Sequence, residues 1–161
     1  MKLPALITLL TLAMAAGADA ATLEGYVFSV ADGNTVTISN ERGGKADLTV
    51  RLYGITAPTL RQPCGPEAHA FLSKSLPKGA PVIVETVGAP QGEHAYALIQ
   101  VRGTSVNYLM VNEGLAWVDR RHCRGVFCRR WMLEERGARE SRKGVWALNI
   151  TTPPWQWGEI R

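Results

Sequence analysis

Cysteine is scarce here, with three in 161 residues, and none stands in a C-x-x-C pair. Zinc ribbons and fingers are built from such pairs, and His122 directly beside Cys123 makes a poor chelate, so no metal site is expected. Long apolar runs are missing too. Outside the extreme N-terminus no uninterrupted apolar stretch reaches the about 18 residues of a membrane span, which excludes an internal span. Internal repeats and low-complexity linkers are absent, in keeping with one domain in a chain of this length. Negative charge is in modest deficit: 14 acidic residues against 18 basic ones leave +4. That balance permits a polyanionic partner without establishing one. What is present is a globular composition, 46% hydrophobic with five Trp, which a solvated coil does not have.

The N-terminus reads as an export signal. Met1-Lys2 is a short positive region, Leu3 to Ala16 is apolar apart from Pro4 and two Thr, and Ala18-Asp19-Ala20 offers small residues where a signal peptidase cuts. Cleavage is expected after Ala20, leaving a single domain over 21–161 with no membrane span, in the periplasm or secreted. No Cys follows the cut, so a lipoprotein anchor is not indicated. In such an oxidising compartment thiols tend to pair. Three cysteines allow three single bridges. Cys123 and Cys128 flank Arg-Gly-Val-Phe and can close a small loop, whereas the distance of Cys64 from either cannot be read from spacing. The expected bridge is Cys123–Cys128.

The body alternates in strand fashion at Thr22 to Val30 and Thr35 to Ser39, joined by Asp32-Gly33-Asn34, a strong hairpin signal. Glu41 to Lys45, with Gly43-Gly44, makes a second turn before a third strand through Leu48, Val50 and Leu52. Gly65-Pro66-Glu67 opens a helix with an apolar face of Ala68, Phe71, Leu72 and Leu76, stopped by Pro77. Pro81 to Val87 and Ala95 to Val101 are the fourth and fifth strands. Asn107 to Glu113 predicts a short helix and Arg129 to Lys143 a longer one. The tail Pro153-Pro154-Trp155-Gln156-Trp157 is expected to be non-helical, with its Trp pair capping an apolar surface. Trp117, Trp131 and Trp146 read as packing residues, and His69, between two Ala, as solvent-facing. Five strands with a helix inserted after the third predict an α+β fold dominated by a five-stranded OB-type barrel, with about three helices.

Five segments sharpen that expectation. Val30-Ala31-Asp32-Gly33-Asn34-Thr35-Val36, Val50 to Thr59 (VRLYGITAPT), Cys64 to Phe71, Val106 to Val118 (VNYLMVNEGLAWV) and the closing Lys143-Gly144-Val145-Trp146 with Pro153 to Trp157 occur in register. Together they resemble the staphylococcal nuclease (thermonuclease-like) family. The resemblance implies a Ca²⁺-dependent phosphodiesterase. Carboxylates would hold the ion and polarise the attacking water, and two guanidiniums would clamp the phosphate.

The chain departs from that pattern at most of the implied site. The hairpin Asp is Asn34, the Asp before Ala-Pro is Thr56, the Glu after Pro is Thr59, and the second Arg aligns with His94. Arg51 alone stands at its family position. No aromatic ring occupies the stretches Gln91 to His94 and Asp119 to His122, where family members place base-holding Tyr residues. Arg120, Arg121 and Arg124 are the candidate polyanion-binding residues, with Arg129 and Arg130 beyond them, although arginines on such a helix and its entry loop also serve merely as a solvated face. The expectation is an exported pseudoenzyme, catalytically inactive, acting by binding nucleic acid, an envelope polysaccharide or other polyanion, or a protein. No cofactor is expected. The alternative is an active metal-dependent endonuclease rebuilt around Arg51, with Asp32, Glu93 and His94 holding the metal and Ca²⁺ as its ion.

Overall fold

The computed structural model describes residues 21–157. The expected signal peptide, residues 1–20, lies outside the described residues, as do residues 158–161. The chain runs through β1 (Thr22–Val30), β2 (Thr35–Ser39), β3 (Leu48–Leu52), β4 (Ile55–Thr56), α1 (Gly65–Ser75), β5 (Pro81–Thr86), β6 (His94–Val101), β7 (Thr104–Ser105), α2 (Val106–Asn112), β8 (Trp117–Val118) and α3 (Val126–Glu140).

Strands pair in the order β3-β2-β1-β5-β6, and a parallel pairing of β3 with β6 closes the ring. The result is the expected five-stranded mixed barrel with three helices. Alternation explains the closure: Val36 and Ile38, Val50 and Leu52, Val82 and Val84, and Ala95, Ala97 and Ile99 all point inward and are buried. The intervening Arg51, Ile83, His94 and Tyr96 stand outside. A register irregularity between Val27 and Ser29 bends β1 where it passes from β5 to β2. Ala68, Leu72 and Leu76 of the α1 segment and Val106, Met110 and Val111 of α2 complete the core.

Asn107 is a fully buried clamp. Its Oδ1 accepts the Ile99 N–H, and its Nδ2 donates to the Tyr53 and Ala97 carbonyls, tying α2 to β6 and to the end of β3. A Cβ on Gly65 would fall 1.8 Å from the Thr59 carbonyl oxygen, so only glycine lets α1 start against that loop.

Four details differ from the sequence reading. β4, β7 and β8, two residues each, were not foreseen, because such short pieces carry no periodicity. The last helix begins at Val126 rather than Arg129 and ends at Glu140 rather than Lys143. Phe127 and Cys128 are drawn into its first turn by packing on Trp131 and by the disulfide, while Arg142 turns left-handed at the other end. The tail does contain one helical turn, a 3-10 turn over Pro154–Gln156. Proline at a first helical position loses only an N–H that needs no partner, and Gln156 N–H still reaches the Pro153 carbonyl at 2.9 Å. Trp155 of this turn packs, as expected of the tail, on a second apolar cluster of Cys64, Trp117, Ala138, Val145 and Trp146. Finally, His69 is half-buried and its Nε2 lies 3.2 Å from the Val30 carbonyl oxygen, so it braces α1 against β1 rather than facing solvent.

Candidate functional site

Strand alternation puts Arg51 on the outer face of the barrel, between buried Val50 and Leu52. Thr35 of β2 is its antiparallel partner and Tyr96 of β6 its parallel one. Among the described residues Arg51 has no ion-pair partner. Two cavities meet at this point. One, of about 690 Å³, is lined by Arg51, Thr56, Tyr96, Asp119, His122 and Trp155, among others. The second, of about 680 Å³, shares Arg51 and Tyr96 and extends past Thr49 to Gln91 and His94. The arrangement is a groove with a free guanidinium and an exposed phenol ring at its middle.

The other family-position residues do not supply a cation's ligands. Asn34 is 5% exposed and serves as a brace: its Oδ1 accepts the Ala57 N–H at 3.3 Å, and its backbone carbonyl accepts from Leu52. Because that oxygen faces an N–H donor, the other end of the amide must be NH₂. This Nδ2 is buried without a partner. A donor group stands there, where a cation needs an oxygen. Thr56 and Thr59 are neutral. His94 sits beside Thr49, outside the cavity that Thr56 and Thr59 line. Asp32 spends one carboxylate oxygen on the Asn34 N–H. Among the described residues no three His, Cys, Asp or Glu side chains come together as metal donors, so Asp32, Glu93 and His94 do not form the group that a rebuilt site would require. A hard cation such as Ca²⁺ wants several oxygens with carboxylate charge. The residues present do not fit it.

The carboxylate that does face the groove is Asp119. Its Oδ2 meets His122 Nδ1 at 2.8 Å and its Oδ1 meets Arg121 Nε at 3.2 Å. Burial alone would raise this carboxyl, but the hydrogen bonds from His122 and Arg121 outweigh it and hold Asp119 below the usual carboxylate range. The surrounding turn is tightly tied. Asp119 N–H donates to the Gly54 carbonyl, the Asp119 carbonyl accepts from His122 and Cys123 N–H, and the His122 carbonyl accepts from the Tyr53 hydroxyl at 2.7 Å. Cys123 is bonded to Cys128, the expected bridge, and Cys64 is free and buried. Gly54, at φ +73°, lets that disulfide approach: a Cβ there would lie 2.7 Å from Cys123 Sγ.

The three candidate binding arginines part company. Arg121 lines the groove and lies over the Trp155 ring at 4.8 Å. Arg120 is committed to buried Glu135 at 2.6 Å, and Arg124 Nη1 donates to the Cys123 carbonyl. Neither lines the groove. The strip read from the sequence is therefore mostly structural, because Glu135, fifteen residues away in the helix, could not be paired with Arg120 from spacing. Conversely, the sequence reading missed two aromatic groups. Tyr96, 57% exposed, stands against Arg51, and Trp155 closes one end of the cavity. Alternation along β6 puts Tyr96 outside; only the parallel register with β3 puts it beside Arg51.

Comparison with known proteins agrees with this geometry. The model of the staphylococcal nuclease homologue family matches residues 49–148. Protein ParB of Escherichia coli is 30% identical over 145 residues, covering 85% of this chain and 80% of its own length. Micrococcal nuclease of Shigella flexneri is 28% identical over 145 residues, covering 85% and 81%. Staphylococcal-like nuclease CAN1 of Arabidopsis thaliana is 31% identical over 126 residues, 76% of this chain but only 36% of that longer protein. With this barrel and a family model spanning most of the chain, this protein belongs to the staphylococcal nuclease homologue family.

Proposed function

We propose that this chain is an exported nuclease-like domain that binds single-stranded nucleic acid in the groove at Arg51 and has lost metal-dependent hydrolysis. One observation carries the reading: the groove holds the Arg51 guanidinium without an ion-pair partner among the described residues, lined by the neutral Thr56 and Thr59 and with the amide of Asn34 tied to the Ala57 N–H. With Asn34, Thr56 and Thr59 in place of carboxylates, the dehydration of a divalent ion is not offset, and none of the three is a base that could activate a metal-bound water. Phosphate binding by Arg51 needs neither. Tyr96 offers an exposed face on which an unpaired base stacks, which favours single strands over duplex. Export, to the periplasm or beyond, is supported by the pattern of residues 1–20 and by the Cys123–Cys128 bridge, since disulfides persist in oxidising compartments.

The test is anisotropy of labelled single-stranded DNA and RNA with the chain lacking residues 1–20, in EDTA and in Ca²⁺, Mg²⁺ or Mn²⁺, beside a nuclease assay. Binding that persists in EDTA and weakens with salt is expected. Binding that survives high salt would instead mark a protein partner. A second reading, an active metal-dependent nuclease, is favoured by the micrococcal nuclease among the relatives. Chelator-sensitive turnover abolished by Arg51→Ala would establish it in place of the first.

A further inference from the structure

We propose that His122, oriented by Asp119, is a metal-independent general base in the groove, and that the chain cleaves RNA there to 2′,3′-cyclic phosphate and 5′-hydroxyl ends. The inference rests on the reading that a nucleic-acid strand lies with a phosphate on Arg51, and adds an activity to it.

The tautomer follows from the contacts. An ionised carboxylate only accepts, so His122 Nδ1 must donate to Asp119 Oδ2 across their 2.8 Å contact. In the neutral ring Nε2 then carries the lone pair. The His122 side chain is 71% exposed and lines the same cavity as Arg51, and among the described residues nothing engages Nε2. A base held by an orienting carboxylate, beside a group that takes developing negative charge, is the arrangement from which acyl- and phosphoryl-transfer sites are built. A His and an Asp three residues apart in a turn are by themselves an ordinary local pair. Two further observations distinguish this one: the opening of both side chains onto the cavity of an unpaired guanidinium, and the bracing of the turn by Tyr53, Gly54 and the disulfide.

RNA carries its own nucleophile, so no activated water is required. His122 Nε2 takes the proton of the 2′-hydroxyl. O2′ forms its bond to phosphorus as the P–O5′ bond breaks, and the departing O5′ takes a proton from water. The hydroxide left behind collects the proton from the imidazolium. Arg51 neutralises the charge that builds on the non-bridging oxygens. DNA has no 2′-hydroxyl, so it is held and not cut.

The experiment uses a DNA strand containing one ribonucleotide, in EDTA, with products resolved by mass spectrometry. Scission at the ribonucleotide alone is expected, with a cyclic phosphate on the 5′ fragment. His122→Ala should be at least about 100-fold slower, and added imidazole should restore part of the rate, a rescue that a merely structural role would not show. The His122 side chain is exposed and packs into no core, and anisotropy with an all-deoxy strand checks that the variant is folded. Intact RNA with normal DNA binding overturns this inference and leaves the binding reading standing. No binding at all overturns both. Scission unchanged by His122→Ala, or abolished by EDTA, overturns the inference as well.

Discussion

Arg51 and Tyr96 face each other across the parallel pairing that closes the barrel, both on its outer surface and both open to the two cavities that meet between them. Closure of the fold and assembly of the groove are therefore one event. Neither residue is near the other in sequence, and neither has a binding geometry until β3 and β6 pair.

Arg51→Ala should weaken single-strand binding about 10- to 100-fold, the loss of about 1.5–3 kcal/mol for a hydrogen bond to a charged group. Tyr96→Ala should cost a similar amount, about 1–3 kcal/mol for one stacked base, while Tyr96→Phe keeps most of it. The two differ in salt response. Only the arginine variant should flatten the dependence of affinity on ionic strength, since only it removes a phosphate contact. Anisotropy titrations across a salt series measure both effects; equal slopes for the two variants would contradict the assigned roles.

Glu135 is the charge that holds the last helix to the site. It is 1% exposed, accepts the Val118 N–H, and pairs with Arg120 at 2.6 Å and Arg139 at 3.6 Å. Glu135→Ala leaves the Val118 N–H buried without a partner and removes two ion pairs whose arginines are partly exposed, and should destabilise by about 1–3 kcal/mol. Arg120→Ala should cost less, because Val118 and Arg139 still satisfy the carboxylate. Urea unfolding of the two variants gives the ranking directly.

Much of this was legible in the sequence. The hairpin at Asp32-Gly33-Asn34, the apolar alternation of β3 and β6, the Gly65-Pro66 helix start and the Cys123–Cys128 loop all follow from local chemistry, and the VRLYGITAPT segment carries the family. Other features needed three dimensions. Arg120 looked like a binding residue because its partner Glu135 belongs to another element, and Tyr96 looked like an ordinary strand residue because its register with Arg51 is non-local. The 3-10 turn at Pro154 was missed because a proline pair reads as a break, although a first-turn proline loses nothing there.

The disulfide should matter for the groove as much as for stability. It closes a loop with a sequence separation of five, for which chain entropy predicts a contribution of about 2 kcal/mol. The same bond anchors the turn carrying Asp119, Arg121 and His122. Cys123→Ser with Cys128→Ser should therefore lower the unfolding midpoint modestly and weaken nucleic-acid binding. Comparing binding with and without reductant, at a temperature where both forms are folded by circular dichroism, separates the effect on the groove from unfolding.

Acid should loosen the same turn. Asp119 is held below the usual carboxylate range because hydrogen bonds from His122 and Arg121 outweigh the opposing effect of burial. A folded-state value below the unfolded one means that the group's contribution is fully present above its unfolded pKa, about 3.9, and is lost as the pH falls through that value toward the folded one. Asp119→Asn lacks this titration. It should be less stable than the parent at neutral pH, with the gap narrowing as the pH drops below about 4. Urea midpoints for parent and variant at a series of pH values measure the convergence. A constant gap across that range would mean that the Asp119 side-chain contacts contribute no charge-dependent stability, and that the turn is held by its backbone hydrogen bonds, Tyr53 and the disulfide.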